Sequence, residues 1–519
     1  MSDLGARTYG TTWEILTYAG EQPAWISELA RRIQVETGAT GRVVGIVGRQ
    51  HDDASRCEAA WKYDALRKRI AHSLAPKGTV SDRDAGSTVD TRIALGGEVS
   101  GLIAHRSLVL MIDAYPAADL RRALESAMIE GRGEVKVSCQ WREANRQGTE
   151  IWRCGLVEWS IAISLERVVE KLQGLILHCL LLREARPDTQ VPGWVSPGDT
   201  VPAQSRGGPL GVALAQARRR LTSCDQWAIT VYQNVDVDVL WPTRAGIQLV
   251  PPIDRFWADP FVARDDDERL WVFFEELKFA SPRGTLRCVA IDARGNAGEP
   301  IDVLTEPCHL SYPNVFKSEG DWYLLPESSE RKNLMLYRAR RFPDDWEPIA
   351  ELLTDTAVVD ATLHRDANGW WMFAGAANSK GAAFDDTMHL YRSSTLSGPW
   401  LPAQANPVRV DPSCSRPGGQ LFRWRGKWLR PVQDCRGRYG RFVHLMEFAG
   451  VGERGPQEHV VATLAGVDAF NVQAAHTYNR VGTDLAVDWQ RWRSRWGGTA
   501  TLDERALAFT LWKSHSSSK

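Results

Sequence analysis

The sequence lacks several features that would point to a particular partner or compartment. It has almost no net charge, because 63 Lys and Arg residues balance 64 Asp and Glu residues and leave a formal charge of -1. Without an excess of basic residues, the chain has no overall electrostatic attraction to nucleic acid or to an anionic membrane. The nine cysteines are odd in number and form no CxxC pair, which argues against a disulfide framework and against a zinc site. These absences favour the reducing environment of the cytoplasm.

Long hydrophobic runs and cofactor motifs are also missing. The most apolar stretch, Leu175 to Leu182, is far shorter than the roughly 20 residues of a membrane-spanning helix. Met1 to Gly20 is polar and mixed, so no secretory signal is visible. The chain has no GxxxxGK[ST] loop and no HExxH motif, and Gly45 to Gln50 lacks the third glycine of a dinucleotide fingerprint. We therefore expect a cytoplasmic protein without a transmembrane segment, cofactor or metal, for which a peripheral membrane contact stays open.

The length of 519 residues predicts two domains, because one hydrophobic core seldom organises so long a chain. The stretch from Ala185 to Gly211 is rich in Pro, Gly and small polar residues and marks a linker. Before it, Arg42 to Val47 and Ser107 to Ala114 are typical of buried strands, and residues 57–74, 118–129 and 165–182 have helical spacing. The pattern predicts an α/β domain over 1–190, a linker with a short helix over 191–225, a β-rich domain over 226–495 and a C-terminal tail over 496–519.

Tryptophan, by contrast, is abundant, with 22 copies. Four of these copies recur at intervals of about fifty residues, within Leu270–Phe273, Asp321–Leu324, Trp370–Phe373 and Lys427–Arg430. Each segment is typical of the second strand of a hairpin, and a polar-to-apolar strand lies about ten residues before it. The sequence Leu-Tyr-Arg, followed by a Trp, also occurs twice. A repeat of this length with about four short strands is typical of a β-propeller blade.

A fifth blade is predicted from Asn471 to Trp489, closed by a strand within Trp227 to Leu240 that precedes the first blade. The predicted fold is therefore an α/β N-terminal domain followed by an all-β, five-bladed β-propeller. In such a fold, polar residues at the starts of the innermost strands converge on one central pocket. The residues at these starts are Asp259, Tyr312, Asn314, Asp360, Arg416, Gln420, His476 and Tyr478.

Acidic residues in this set are the candidates for catalysis. Asp259 and Asp360 stand at equivalent repeat positions, and chemistry at an anomeric carbon requires a pair of acid and base groups. Glu327 is a candidate for the acid, as are Glu275 and Glu276, because all three lie on second strands. An Asp at a strand start equally well caps a turn, so a structural role stays open for both aspartates.

The remaining candidates would bind substrate. Arg416 is suited either to a phosphate or carboxylate ligand or to a carboxylate of a blade. His476 has no metal-ligand spacing around it and is a candidate for a hydrogen bond to a sugar hydroxyl. Trp257 and Tyr312 are candidates for stacking on a sugar ring, with core packing as the alternative. Glu276, Asn314 and Gln420 complete the predicted substrate-binding set.

The span from Phe256 to about Asp488 resembles the N-terminal propeller domain of glucosamine inositolphosphorylceramide transferase-type proteins. The segments FWADPF, LSYPNVF, WYLLPES and SRPGGQLF and the repeated LYR carry the resemblance. This domain is in turn similar to the five-bladed arabinanase and xylosidase clan of glycoside hydrolases. That similarity implies a base or nucleophile at Asp259 and a pKa-tuning, substrate-orienting role at Asp360, whereas the acid of the clan belongs to a later blade than Glu327. Residues 1 to about 190 resemble a degenerate formyltransferase-like domain without the HxSxLP-type motif, so no formyl transfer is expected.

Three functional hypotheses follow. The first is a glycosyltransferase that assembles a surface glycan or glycolipid from a nucleotide- or lipid-linked sugar donor. Under this hypothesis Asp259 engages the reacting sugar or the acceptor hydroxyl, Asp360 positions it, Arg416 meets the donor phosphate and Glu327 is the acid. The second is a glycoside hydrolase that uses the same pocket, and the third is a non-catalytic glycan-binding propeller. No nucleic-acid partner is expected.

Overall fold

The computed structural model describes thirteen stretches of the chain, which are residues 12–18, 20–46, 76–80, 89–95, 104–143, 146–157, 160–181, 223–281, 283–376, 384–452, 455–466, 472–494 and 507–511. The chain divides into two compact units, Met1–Ala213 and Leu214–Lys519. The helix predicted over 57–74 lies outside the described residues, as does the linker up to residue 222.

The first unit is built on a mixed β-sheet. Its strands are β1 (Thr12–Tyr18), β2 (Gly20–Pro23), β3 (Thr40–Ile46), β4 (Pro76–Val80), β5 (Val89–Ala94), β6 (Ala104–Ile112), β7 (Tyr115–Pro116), β8 (Glu134–Glu143) and β9 (Arg146–Gly155). Its helices are α1 (Ala24–Thr37), α2 (Leu120–Ile129) and α3 (Ile161–Leu181). The main sheet has the order β3-β1-β5-β6-β8-β9, with parallel pairs from β3 to β6 and antiparallel pairs from β6 to β9. This mixture of strands and helices confirms the predicted α/β class.

Helix α3 covers the antiparallel part of this sheet. Strand β8 alternates buried and exposed residues, and its buried side chains include Val137, Cys139 and Trp141. Such alternation is what a strand requires when only one of its faces is covered. In the part of the chain that the structure describes, no helix combines the length and the apolar character needed to cross a membrane.

The second unit consists of five β-sheets. Two strands precede the first complete sheet, β10 (Ser223–Tyr232) and β11 (Ile247–Leu249). Blade 1 holds β12 (Arg255–Arg264), β13 (Leu270–Lys278), β14 (Gly284–Ile291) and β15 (Ile301–Leu304), and blade 2 holds β16 (Ser311–Ser318), β17 (Asp321–Glu327), β18 (Leu334–Arg341) and β19 (Asp345–Leu353). Blade 3 holds β20 (Val358–Asp366), β21 (Gly369–Ala376), β22 (Thr387–Ser393), β23 (Leu401–Pro402) and β24 (Arg409–Val410). Blade 4 holds β25 (Phe422–Trp424), β26 (Lys427–Asp434), β27 (Phe442–Gly452) and β28 (Gly455–Gly466), and blade 5 holds β29 (Val472–Ala474), β30 (Tyr478–Val481) and β31 (Asp484–Ser494).

Strand β10 closes the ring. It pairs with β31 along its whole length, from Ser223 opposite Ser494 to Tyr232 opposite Leu485. A strand from before blade 1 thus completes blade 5, which confirms the predicted closure and the five-bladed propeller. The predicted C-terminal tail contains a further strand, β32 (Leu507–Leu511), which pairs with the outer strand of blade 4.

Apolar side chains fill the space between neighbouring blades. Trp271 and Trp346 belong to the layer between blades 1 and 2, and Trp370 and Trp400 belong to the layer between blades 2 and 3. Trp489 lies fully buried between blades 4 and 5. Burying indole rings removes large apolar areas from water, so much of the tryptophan content is explained by blade packing.

Candidate active site

Asp259, Tyr312 and Asp360 occupy equivalent positions in the inner strands of blades 1, 2 and 3. Each lies in a β-bulge, where the pairing of the inner strand with the second strand skips two residues. Their φ angles are 52°, 46° and 52°, in the left-handed region. For residues other than glycine this conformation costs about 1–3 kcal/mol, and such strain is concentrated at functional sites. A β-bulge also changes the direction in which a side chain points. The repeated bulge and strain therefore mark these three positions as candidates for a functional site.

The Asp259 side chain faces His476, which follows β29 in blade 5. Asp259 Oδ1 lies 3.1 Å from His476 Nε2, and the other imidazole nitrogen, Nδ1, lies 2.7 Å from Asp488 Oδ2. Asp488 on β31 also accepts backbone N–H bonds from Asp259, His476 and Thr477 at 2.9–3.0 Å. The three side chains are almost completely buried. Blades 1 and 5 are therefore joined at the centre by a carboxylate–imidazole–carboxylate chain.

The charge of His476 follows from its two acidic neighbours. Burial alone would lower its pKa, but Asp488 and Asp259 outweigh burial and raise the pKa to about 10. Asp259, His476 and Asp488 are also a set of side chains whose geometry could hold a metal ion, since their ligand atoms lie within 4.8 Å of one another. An imidazolium already supplies positive charge between the two carboxylates, and metal ligation would require it to lose its proton. With His476 protonated the three side chains form an ion-pair chain, and with His476 neutral they supply one imidazole and two carboxylate ligands to a metal ion.

Asp360 is held from two sides by blade 4. Its Oδ2 accepts hydrogen bonds from Arg416 Nε at 2.5 Å and from Gln433 Nε2 at 2.8 Å. Burial raises the pKa of Asp360, and the attraction to Arg416 lowers it. Repulsion by Glu327 and Asp259 adds to the effect of burial, so the pKa of Asp360 rises to about 8. Asp360 is therefore positioned by fixed donors and changes its charge near neutral pH.

Two glutamates complete the acidic cluster. Burial raises the pKa of Glu327, whose Oε1 accepts a hydrogen bond from Ser329 Oγ at 2.9 Å. Burial, followed by repulsion from Asp259 and Glu327, raises the pKa of Glu275 well above its ordinary value. The cluster thus contains carboxyl groups of raised pKa next to the His476–Asp259 ion pair.

His309 connects Glu275 to the surface. Its Nδ1 accepts the backbone N–H of Gly284 at 2.9 Å, so the proton of the neutral ring is on Nε2, which lies 3.5 Å from Glu275 Oε1. Burial lowers the pKa of His309 and favours this neutral form. The His309 side chain is 32% exposed, whereas that of Glu275 is 7% exposed.

Two nitrogen atoms of Arg416 form ion pairs with carboxylates of the protein. Besides Asp360, it binds Asp385 Oδ1 through NH1 at 2.9 Å, and its NH2 lies 3.4 Å from the Tyr439 hydroxyl. The guanidinium also lies 4.7 Å from the centre of the Tyr439 ring. Of the two roles considered from the sequence, the observed contacts correspond to pairing with blade carboxylates.

Tyr439 is an aromatic side chain at this site that the repeat did not reveal. It lies in the loop between β26 and β27, and 41% of the residue is exposed. Its ring makes edge contacts with Trp227 and His476, with centroid distances of 6.5 and 5.2 Å. The loop is fixed in place by Gly440, where φ is 60° and an added Cβ would lie 2.7 Å from the Cβ of His476. An exposed ring is thus held rigidly beside the buried charges.

Asn314 and Gln420 are engaged in contacts between blades. Gln420 Nε2 donates to Asn314 Oδ1 and to the carbonyl oxygen of Val315, and Asn314 Nδ2 donates to the carbonyl oxygen of Ala361. Asn479 extends this belt, because it donates to the carbonyl oxygen of Pro260 and accepts the N–H of Gln420. These amides tie the five inner strands together beneath the charged cluster, although the sequence suggested that two of them bind substrate.

The remaining sequence-based candidates point elsewhere. Glu276 forms ion pairs with Arg255 and Arg287 at 3.2 and 3.3 Å and accepts the indole N–H of Trp257 at 3.0 Å. It faces away from the cluster because successive side chains of a strand alternate between faces, so its neighbour Glu275 is the one that reaches the centre. Tyr312 is fully buried, with its hydroxyl 2.8 Å from Thr362 Oγ1 and its ring edge-on to Phe261. Neither face of the Tyr312 ring is available for a sugar.

The chain matches a protein family and is similar in sequence to several named proteins. Residues 243–479 match the family described as "Glucosamine inositolphosphorylceramide transferase 1, N-terminal", which confirms the resemblance seen in the sequence. A protein named glucosamine inositolphosphorylceramide transferase 1 from Oryza sativa subsp. japonica is 37% identical over 207 residues, which are 39% of this chain and 27% of that protein. The protein of the same name from Arabidopsis thaliana is 31% identical over 233 residues, which are 43% of this chain and 30% of that protein. The chain therefore spans less than a third of the length of these relatives.

Solved structures with a similar fold include two carbohydrate-active enzymes. A GH43 β-xylosidase/α-arabinofuranosidase from a compost microbial metagenome is 10% identical, with a TM-score of 0.33 over 46% of this chain and 91% of that chain. An exo-β-1,3-galactanase from Phanerochaete chrysosporium is 11% identical, with a TM-score of 0.32 over 43% of this chain and 55% of that chain.

Proposed function

We propose that the central pocket of the propeller catalyses glycosyl transfer from a sugar donor to a hydroxyl group of a glycolipid or glycan. The observation that carries the proposal is the buried cluster in which an ion-paired carboxylate, Asp259, lies among carboxyl groups of raised pKa, Glu327 and Asp360. Environments that push the pKa values of neighbouring carboxyls apart are what acid and base roles require. The name of the relatives, which describes transfer of glucosamine to a sphingolipid, supports the same class of reaction.

In this proposal the residues have separate roles. The oxygen of the acceptor hydroxyl attacks the anomeric carbon and gives its proton to Asp259, while the bond from the anomeric carbon to the leaving oxygen breaks. An alcohol leaving group takes the proton of Glu327, whereas a phosphate leaves without one. Asp360, fixed by Arg416 and Gln433, orients the sugar. The proposal also includes a nucleotide- or lipid-linked sugar donor and a cytoplasmic location, both of which the sequence led us to expect.

A second candidate is glycoside hydrolysis at the same pocket, with water as the acceptor. It is favoured by Arg416, whose contacts with Asp360 and Asp385 direct this cation to carboxylates of the protein. A donor phosphate would have to compete with them, whereas a glycoside carries no phosphate. A glycan-binding propeller without catalysis is the third candidate.

The test is turnover by purified protein of three pools: nucleotide sugars and lipid-linked sugars, each with glycolipid acceptors, and aryl glycosides. Products are identified by mass spectrometry. Asp259→Asn removes the charge of the central carboxylate, and Asp266→Asn is the control, because Asp266 is exposed and pairs only with Lys317 in the described chain. Donor consumption that is lost in Asp259→Asn and kept in Asp266→Asn supports transfer. Cleavage of aryl glycosides alone replaces transfer by hydrolysis, and full activity in Asp259→Asn contradicts both.

A further inference from the structure

A cavity lies at the ends of the inner hairpins of blades 4 and 5 that are remote from the carboxylate cluster. It has a volume of about 430 Å³, and its lining includes Asp238, Phe422, Arg423, Arg425 and Arg480. Gln433, which contacts Asp360, lies near the far end of β26, whereas Arg425 immediately precedes the start of this strand. At about 3.3 Å per residue, the eight residue steps between the two points span roughly 26 Å. The cavity is therefore distinct from the carboxylate cluster.

The floor of this cavity is a buried cation. Arg480 is 3% exposed, and its donors reach three carbonyl oxygens, those of Gly482 at 3.1 Å, Val239 at 2.5 Å and Asp236 at 2.7 Å. Within the described chain, Arg480 has no carboxylate at ion-pair distance. Carbonyl groups satisfy its N–H groups but do not neutralise its charge. A buried guanidinium without an anion is unfavourable, and a bound anion would relieve this.

Two more arginines stand at the rim. Arg423 lies over the Trp428 ring and Arg425 over the Trp424 ring, each 4.7 Å from the ring centre. The carboxylate of the lining, Asp238, is 3.9 Å from Arg425 Nε, and both side chains are more than 60% exposed. An ion pair between two exposed side chains contributes little free energy in water, so Asp238 leaves most of the positive charge of the arginines in place. Three guanidinium groups and one carboxylate give the cavity a net positive lining.

The surroundings of the cavity suggest where its ligand comes from. Val237, Val239 and Val481 are 56%, 39% and 42% exposed, and they lie on the loop and the hairpin that border Arg480. Exposed apolar side chains around a basic cavity are typical of a surface that touches the headgroup region of a membrane. Gly426 and Gly482 lie in the two hairpin turns, with φ angles of 78° and 58°, and both residues line the cavity without a side chain of their own.

We propose that this cavity binds a phosphate group of an organophosphate, with Arg480 at its floor and Arg423 and Arg425 at its rim. The guanidinium group is the side chain best matched to phosphate, because it donates two parallel hydrogen bonds in one plane. Both a lipid headgroup and a soluble phosphate ester carry this chemistry, and the exposed valines favour the lipid. The proposal does not rest on the function proposed for the central pocket.

The experiment compares two probes. Isothermal titration calorimetry measures binding of glycerol 3-phosphate, and co-sedimentation measures binding to phosphatidylcholine vesicles with and without phosphatidic acid. Arg423→Gln/Arg425→Gln changes two exposed residues and leaves Arg480 in place, so the fold is kept. Arg365→Gln is the matched control, because Arg365 is also exposed and also lies over a Trp ring. It stands just before the turn of the inner hairpin of blade 3.

The expected result is binding of both probes by the unmodified protein, at least about tenfold weaker in the double variant and unchanged in Arg365→Gln. Val237→Ser/Val481→Ser should weaken binding to vesicles and leave binding of glycerol 3-phosphate intact. Glycerol 3-phosphate binding without vesicle binding supports the phosphate site and overturns the lipid source. No binding of either probe, or an equal loss in Arg365→Gln, overturns the proposal.

Discussion

Asp259 in the first blade and His476 in the last blade form an ion pair of 3.1 Å at the centre of the propeller. Asp488, which holds the other side of the imidazole, lies on β31, and this strand pairs with the closing strand β10. Trp227 on β10 packs on the same imidazole, with ring centres 4.1 Å apart. Closure of the ring and assembly of the site therefore depend on the same contacts.

His476→Gln should destabilise the propeller, because two buried carboxylates lose the cation between them. Breaking a buried ion pair typically costs about 3–5 kcal/mol. The folded-state pKa of His476, about 10, is above the ordinary value of 6.5, so its stabilisation is complete below about pH 6.5 and is lost as the pH rises toward 10. Urea unfolding between pH 6 and 10 should show a steeper decline for the unmodified protein than for His476→Gln. His459→Gln, at a half-exposed histidine, serves as the control, and a parallel decline in His476→Gln would contradict the assignment.

Activity of the central pocket should fall on the alkaline side near pH 8. Asp360 has a pKa of about 8, so raising the pH through this value removes its proton and adds a negative charge beside Glu327. Asp360→Asn cannot ionise, and it should lower kcat while shifting this alkaline limb. The pH profile of kcat/KM, measured with the substrate found in the turnover test, checks this. An unchanged alkaline limb in Asp360→Asn would assign it to another group.

Repetition made much of this site predictable. Asp259 and Asp360 stand at the same point of two repeats, and His476 and Arg416 open later inner strands, so the alignment of blades placed all four at the centre. The closing strand followed from a fifth repeat that lacked enough strands of its own. Where a position recurs from blade to blade, its place in the fold can be predicted from the sequence.

What was missed has physical reasons. Glu275 and Glu276 are adjacent in a strand, so their side chains point to opposite faces of the sheet. Next to a β-bulge, the sequence does not show which of the two faces the centre. Asn314 and Gln420 have the chemistry of ligand-binding amides, but their donors satisfy backbone carbonyls of neighbouring blades. Tyr439 lies in the loop between the second and third strands of blade 4, whose sequence does not repeat in the corresponding segments of the other blades. Asp488 could have been noticed as a carboxylate on the second strand of blade 5, equivalent to Glu275 and Glu327 on theirs.

Tyr439 should act as a platform for a sugar ring. Its exposed ring is fixed beside Arg416 and His476, and stacking on an aromatic face is worth about 0.5–1.5 kcal/mol, or roughly two- to tenfold in affinity. Tyr439→Ala should raise KM by that factor with little change in kcat, and Tyr439→Phe should keep most of the affinity because it keeps the ring. Equal effects of both variants would indicate that the hydroxyl, and not the ring, matters.

Glu275 and Glu458 are both buried glutamates, and replacement of each by Gln should have opposite effects on stability. Burial and neighbouring carboxyls raise the pKa of Glu275, so its stabilising contribution is present at low pH and is lost as the pH rises above 4.5. Gln resembles the protonated acid, so Glu275→Gln should be at least as stable as the unmodified protein at pH 7, and the difference should grow with pH.

Glu458 is in the reverse situation. Burial opposes its charge, but Arg430 and Arg409 outweigh burial and lower the pKa of Glu458. Glu458→Gln leaves two buried guanidinium groups without their carboxylate and should cost about 3–5 kcal/mol at pH 7. The contribution of Glu458 should vanish as the pH falls through its lowered pKa, so the two variants should converge with the unmodified protein at acidic pH. Urea unfolding from pH 2 to pH 9 measures both differences and the convergence at acidic pH, and a destabilised Glu275→Gln at pH 9 would mean that Glu275 is held as a carboxylate.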